Sequence, residues 1–163
     1  MSVNRHQPHV LVLPEDDANR QLAKGFLLDQ YLLNWKIQVL EEAGGWIKVL
    51  DRFKSDHVVG MNRFSSRFMV LLIDFDGDEA RLTRAKADIP NHLTERVFIL
   101  GALTKPEALR QASLGSYDEI GLAMAKDCRE GTDTIWSHEL LRHNSSELDR
   151  LREHVRPILF PSD

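Results

Sequence analysis

Three observations predict an α/β domain with a mainly parallel central sheet flanked by helices and a helical C-terminal extension. Short apolar runs alternate with stretches of helical periodicity from residue 9 to 101. One of these runs, Phe68 to Ile73 (FMVLLI), is apolar on both faces, as in strands covered on both sides. After Gly101 the strand-like runs stop and helix-capping signals replace them. The resulting order, strand-helix-strand-helix-strand-helix-strand, belongs to doubly wound parallel sheets. The expected layout is an α/β core over residues 9–101 and a helical extension over 102–163, packed on the same domain.

Each element has its own local reason. The first eight residues are polar and are expected to fray. His9 to Leu13 reads as a short buried strand ended by Pro14. From Asp17 to about Leu33, the residues Leu22, Phe26 and Leu33, with Ala23, Leu27 and Tyr31, recur at helical spacing. Trp35, Ile37 and Val39 alternate like a strand, and Gly44-Gly45 breaks the chain. Trp46, Val49, Leu50 and Phe53 then mark an amphipathic helix.

His57 to Arg67 is polar and loop-like, and the FMVLLI strand follows it. Asp78 to Ala87 reads as a short basic helix, and Arg96 to Leu100 as a fourth strand. In the extension, Pro106 opens a helix to Ala112, and Ser116 with Glu119 forms a capping box for a helix to about Cys128. Ile135 to Arg142 suits another helical turn or two. Asn144 with Glu147 reads as a second capping box, and Leu148, Leu151 and Val155 give the next helix its buried stripe. No fifth parallel strand is evident.

Composition narrows the class. At 163 residues, 42% hydrophobic and 28% charged, the chain is long enough for one packed domain and is not disordered. One cysteine, Cys128, excludes an internal disulfide framework and a cysteine-rich zinc site. No apolar run reaches the roughly 20 residues of a membrane span, and no h-region opens the chain, so the expected location is cytoplasmic, with no membrane partner. A net charge of −4 argues against coating nucleic acid by bulk charge but leaves local phosphate contacts open.

The 25 acidic residues are not evenly placed. The first strand runs into Glu15-Asp16-Asp17 and the third into Asp74-Phe75-Asp76-Gly77-Asp78. Ligands of parallel α/β sheets bind beyond the carboxyl ends of the strands, so both clusters fall at one sheet edge. In extended backbone Asp74 and Asp76 would point the same way, roughly 6–7 Å apart. Gathered carboxylates repel unless a cation neutralises them, and a hard ion such as Mg²⁺ (or Mn²⁺) is the natural partner. Arg81, Arg84 and Lys86 follow the acidic turn and are candidates to meet phosphates beside the metal.

A strand ending in Glu15, a helix, a strand followed by Gly44-Gly45, a helix, and an apolar strand ending in Asp74-x-Asp76 resembles the TOPRIM domain of topoisomerases, primases and OLD-type nucleases. The resemblance spans about residues 9–101. It implies Glu15 as general acid/base or metal ligand and Asp74 and Asp76 as the pair that binds Mg²⁺. It further implies a metal-dependent module acting on nucleic-acid phosphodiesters, working with a separate protein partner such as an ATPase. TOPRIM glutamates are usually followed by Gly, whereas Asp16 follows here.

The stretch VLVLPEDDANRQL is also similar to the opening of response-regulator receivers. That likeness implies Mg²⁺ at Asp16 and Asp17 and phosphorylation of Asp74. Thr104, Lys105 and Lys126 stand off the positions a receiver's Thr and Lys would take. The alternative function is therefore a receiver-like or degenerate TOPRIM-like module for signalling or interaction, without catalysis.

Other chemically suggestive residues read as structural. His138 and His143 are five apart, off the spacing of a helical zinc pair. Trp46 and Trp136 suit core or interface anchors, Cys128 a buried inert thiol, and Arg63 and Arg67 a surface or partner role at the far end of the third strand. No phosphate-cradling Gly-x-x-x-x-Gly-Lys loop and no nucleophile elbow is present.

Overall fold

The computed structural model describes residues 2–162. Four strands, β1 (His9–Pro14), β2 (Ile37–Val39), β3 (Arg67–Leu72) and β4 (Val97–Leu100), form one sheet in the order β2-β1-β3-β4. Every pairing is parallel. The longest ladder joins β1 to β3, from His9 opposite Arg67 to Pro14 opposite Leu72. All six residues of β1 and all four of β4 are buried, because helices cover both faces.

The pleat divides the core. Val10, Val12, Val70 and Phe98 face one apolar layer, and Leu11, Leu13, Met69 and Leu71 face the other. The second layer is closed by α2 (Trp46–Arg52), α3 (Val58–Arg63) and α4 (Ala80–Ala87), through Val49, Phe53, Met61 and Ala85. The first is closed by α1 (Asp17–Phe26), α5 (Pro106–Gln111), α6 (Tyr117–Glu130), α7 (Ser145–His154) and α8 (Arg156–Leu159). Leu109, Ile120 and Leu148 thus share one core with Val10 and Val12, so the C-terminal helices pack on a sheet face. Helices α1 and α6 approach closely because Gly121 lacks a side chain: a Cβ there would sit 2.2 Å from the Leu22 carbonyl oxygen. Among the described residues no helix is long and apolar enough to cross a membrane.

Several boundaries differ from expectation. α1 ends at Phe26 rather than near Leu33, and turns follow it in which the Asp29 carboxylate accepts the Tyr31 N–H at 2.9 Å. The segment 57–67, expected as loop, is largely helical: α2 passes through a π-helical turn, Phe53–His57, into α3. Its buried stripe skips from Phe53 to Met61, too sparse to register as a period. Instead of a helix, the 135–142 region holds turns leading to a 3₁₀ turn, Arg142–Asn144. The N-terminal residues are not simply frayed. Val3 is buried, and the Asn4 side chain and carbonyl accept the N–H groups of His6 and Gln7.

The Ser116–Glu119 capping box forms with both reciprocal bonds. The expected Asn144–Glu147 box does not, because both side chains have another task. β4 is an edge strand whose outward N–H and C=O groups lack a fifth strand. Glu147 Oε2 accepts the Ile99 N–H at 2.9 Å, and Asn144 Oδ1 accepts the Gly101 N–H at 3.1 Å. Asn144 Nδ2 and His143 Nε2 donate to the Gly101 carbonyl at 2.9 and 2.8 Å. Side chains before and on α7 thereby replace the missing strand. Glu147, fully buried, is balanced by Arg150 at 3.0 Å and Lys86 at 2.5 Å.

This edge closure sets an expected outcome. Asn144→Ala leaves a buried N–H and carbonyl of Gly101 short of partners, so it should lower unfolding free energy by about 2–4 kcal/mol in urea titrations. Hydrogen exchange at the Gly101 amide should accelerate alongside.

Candidate functional site

The β1–β3 ladder brings the two acidic clusters level, since Pro14 pairs with Leu72 and the Glu15 N–H donates to the Leu72 carbonyl at 2.8 Å. One residue further, Glu15 Oε2 accepts the backbone N–H of Asp74 at 2.6 Å. Asp16 caps α1: its Oδ1 accepts the Asn19 N–H at 2.9 Å. The Asn19 side chain then ties the two clusters together. Its Nδ2 donates to Asp16 Oδ1 at 3.0 Å and to Asp74 Oδ1 at 2.9 Å. Asn19 is fully buried and its own Oδ1 has no hydrogen-bond partner.

Sequence reasoning missed Asn19. A signal existed: it lies on the apolar stripe of α1 with Leu22, Ala23 and Phe26, where an amide needs a reason to be buried.

Burial and crowding set the electrostatics. Asp74 is 6% exposed. Loss of solvent is the main force on its carboxyl, and the neighbouring carboxylates of Glu15, Asp16 and Glu107 add to it, against the Asn19 hydrogen bond. Together they push its pKa up to about 7. Burial also raises the Glu15 pKa, opposed by the Asp74 N–H and reinforced by Asp16. Two adjacent carboxyls therefore hold protons more tightly than usual, the kind of perturbation that burial and crowding produce at functional sites.

The other expected site residues are placed differently. Asp17 is exposed and accepts a hydrogen bond from Gln21 Nε2 at 2.6 Å, along α1 and outside the Asn19 linkage. Asp76 does not point with Asp74. The backbone is not extended there: φ is +49° at Asp76 and +74° at Gly77, a left-handed turn that Gly77 permits. The Asp76 carboxylate, 47% exposed, pairs instead with Arg81 Nη1 at 3.3 Å. The turn is pinned by the Asp76 and Gly77 N–H groups donating to the Thr104 and Leu103 carbonyls at 3.2 and 2.7 Å.

Arg81 belongs to the site. Its Nη1 donates to the Asp74 carbonyl at 2.7 Å, and its guanidinium lies 4.6 Å over the Trp46 ring. Trp46 therefore works as a platform for this cation. Arg84 is exposed and paired with Asp78. Lys86 is elsewhere, bound to Glu147 beside the middle of β4, so it is a counter-ion of the buried edge rather than a phosphate ligand at the acidic turn.

His143 approaches from the extension. Its ring meets Phe75 edge-on at 5.0 Å, and burial lowers its pKa, keeping it neutral. Cys128 is buried with its thiol pushed up to about 11, which makes it inert.

The donor set can be tested against a metal. Among the described residues no group of three or more His, Cys, Asp or Glu side chains forms a ready-made cage. Mg²⁺ does not require one: one or two carboxylates, with waters and substrate oxygens, suffice. Glu15, Asp16 and Asp74 are hard oxygen donors, and Asn19 turns its Nδ2 toward Asp16 and Asp74, aligning the two carboxylates. The chemistry of this donor set fits a Mg²⁺-like ion.

Proton linkage gives an expected outcome. Asp74 titrates at about 7 when folded against 3.8 unperturbed, so the native state holds the extra proton between these values. The stabilisation from protonated Asp74 is fully present below about pH 4 and lost as pH rises through about 7. Asp74→Asn keeps the hydrogen bond from Asn19 and removes the titration. It should melt about 10 °C above wild type at pH 8 and close to wild type at pH 4, as read by calorimetry.

No protein-family model, no curated protein and no solved structure matches this chain.

Proposed function

We propose that this protein is a TOPRIM-like, Mg²⁺-dependent module acting on nucleic-acid phosphodiesters, with Asp74 at its centre. The observation that carries the reading is the convergence of Glu15, Asp16 and Asp74 from two adjacent strands, with Asp74 held near pH 7. Asp74 and Asp16, aligned by the Asn19 amide, would hold the cation. Bound there, Mg²⁺ would polarise a phosphoryl oxygen and neutralise developing charge.

The chain's own groups supply the rest. Glu15, whose proton is held more firmly than an ordinary carboxyl's, is placed to ligate or to move a proton beside the reacting phosphate. Arg81, held over Trp46 and paired with Asp76, offers a guanidinium beside the acidic set for a phosphate oxygen. Arg84 lies one turn along α4 and adds positive charge at its exposed end. A partner such as an ATPase belongs to this reading, as does a cytoplasmic setting.

A second reading is favoured by one specific observation. Asp76 is committed to Arg81, and Glu15 to the Asp74 amide, an arrangement of a site at rest or one without catalysis. In that case the protein is a receiver-like or degenerate TOPRIM-like interaction module.

Cleavage assays with Mg²⁺ or Mn²⁺ on single- and double-stranded DNA and RNA separate the readings. The nuclease reading expects metal-dependent cleavage, reduced at least about 100-fold in Glu15→Ala and Asp74→Ala. It also expects Mg²⁺ affinity, by calorimetric titration, to rise about tenfold per pH unit below about 7 as the metal displaces the Asp74 proton, and to level off above. Absence of cleavage with labelling of Asp74 by acetyl phosphate identifies the receiver. Neither activity leaves the binding module.

A further inference from the structure

The opposite end of the same strand pair carries the opposite charge. β1 and β3 begin with His9 facing Arg67, and Arg67 Nε donates to His9 Nε2 at 3.0 Å. His9 Nδ1 in turn donates to the Gln7 carbonyl at 2.7 Å, so this histidine is neutral and offers no negative charge. Phe64, between α3 and β3, is ringed by three guanidinium groups: Arg67 at 4.9 Å, Arg63 at 5.3 Å and Arg5 at 5.9 Å from its centroid. His6 meets the same ring edge-on at 5.8 Å. A fourth arginine, Arg96, is fixed behind them by donating to the carbonyls of Met61, Phe64 and Arg67.

None of these four arginines has a carboxylate partner among the described residues; Arg52, Arg110, Arg142 and Arg156 also lack one, but none of those lies over the Phe64 ring. What sets this group apart, in a chain of net charge −4, is that three of its unpaired cations gather on one aromatic ring. The like charges also press on one another. After burial, the Arg5 charge is what lowers the Arg67 pKa, and Arg67 and Arg5 both lower that of His9. Like charges held together in a partly desolvated setting call for an anion.

The setting is built rather than incidental. The buried Val3 and the Asn4 turn hold Arg5 and His6 over Phe64, and Arg67 is itself buried with its guanidinium against Gly60. At Gly60 a Cβ would lie 2.5 Å from Arg67 Nη1, so a side chain there would displace the guanidinium from its present position. Arg5 and Arg63 remain exposed. Three guanidinium groups within 5.9 Å of one ring centroid offer forked donors that suit the several acceptor oxygens of a phosphate better than the two of a carboxylate.

We infer that the amino edge of the sheet, formed by Arg5, Arg63 and Arg67 around Phe64, is a binding site for a phosphate group. It lies about 20 Å from the acidic edge, the length of a six-residue strand, and does not rest on the metal reading. The phosphate is either a monoester of a small molecule or a diester of a nucleic-acid strand.

The test uses the full chain and two probes, inorganic phosphate and a fluorescent dT12 strand, by calorimetric titration and anisotropy without divalent metal. The variant is Arg5→Gln with Arg63→Gln, both exposed, with melting temperature checked, and Arg110→Gln serves as a charge control. The expected result is that at least one probe binds and weakens tenfold or more in the double variant but not in Arg110→Gln. If dT12 binds, its log–log salt slope should be about −2 for three contacts, falling toward about −0.7 in the double variant. Phosphate binding alone assigns a monoester, and dT12 binding alone assigns a strand. Binding of neither probe, affinity unchanged in the double variant, or equal competition by poly-glutamate would overturn the inference.

Discussion

The parallel pairing of β1 with β3 is the constraint from which the rest of the molecule follows. Its register fixes what meets at each end of the two strands: His9 with Arg67 at the start, and the Glu15 cluster with Asp74 just past Pro14 and Leu72. Parallel strands send like ends to the same edge, so charges concentrated at strand ends are added together there. The domain is consequently polarised, with carboxylates at the carboxyl edge and unpaired guanidiniums at the amino edge. Elsewhere, exposed pairs such as Lys54 with Asp88 contribute little to stability, while the buried carboxylates of Glu147 and Asp29 are each matched by an arginine.

Holding that pairing in place costs the molecule burial of polar groups at its free edge. A four-stranded parallel sheet with two covered faces still ends in β4, whose outward N–H and C=O groups must be met. Asn144 and Glu147 meet them from the C-terminal helices. The same contact locates His143 against Gly101 and Phe75, beside the loops that follow β3 and β4. The helical extension is therefore part of the fold's closure, and through the Leu103 and Thr104 carbonyls it reaches the loop that turns Asp76 away from Asp74.

Much of this was legible in the sequence, and what was not has physical reasons. FMVLLI announced a doubly covered strand, Ser116 with Glu119 announced a capped helix, and Glu15 and Asp74 announced two acidic strand ends. Those features are local, set by period, propensity and capping. Asn19, Asn144 and Glu147 act across long sequence separations, and a capping-box spacing at Asn144 and Glu147 looks the same whether the side chains serve their own helix or a distant strand. Asp76 was misplaced because an alternating pattern assumes extended backbone, and the left-handed turn at Asp76-Gly77 breaks it. The arginine ring around Phe64 draws residues 5, 63 and 67 from two separate segments, so no motif could display it.

Two parallel strand ends place Asp74 in a crowded, buried carboxylate cluster whose surroundings raise its proton affinity. A ¹³C NMR titration of the Asp74 side-chain carboxyl, with and without Mg²⁺, tests it most directly. The expected result is an inflection near pH 7 in the metal-free protein and a downward displacement on adding Mg²⁺. Titration near the ordinary 3.8, unmoved by Mg²⁺, would contradict it.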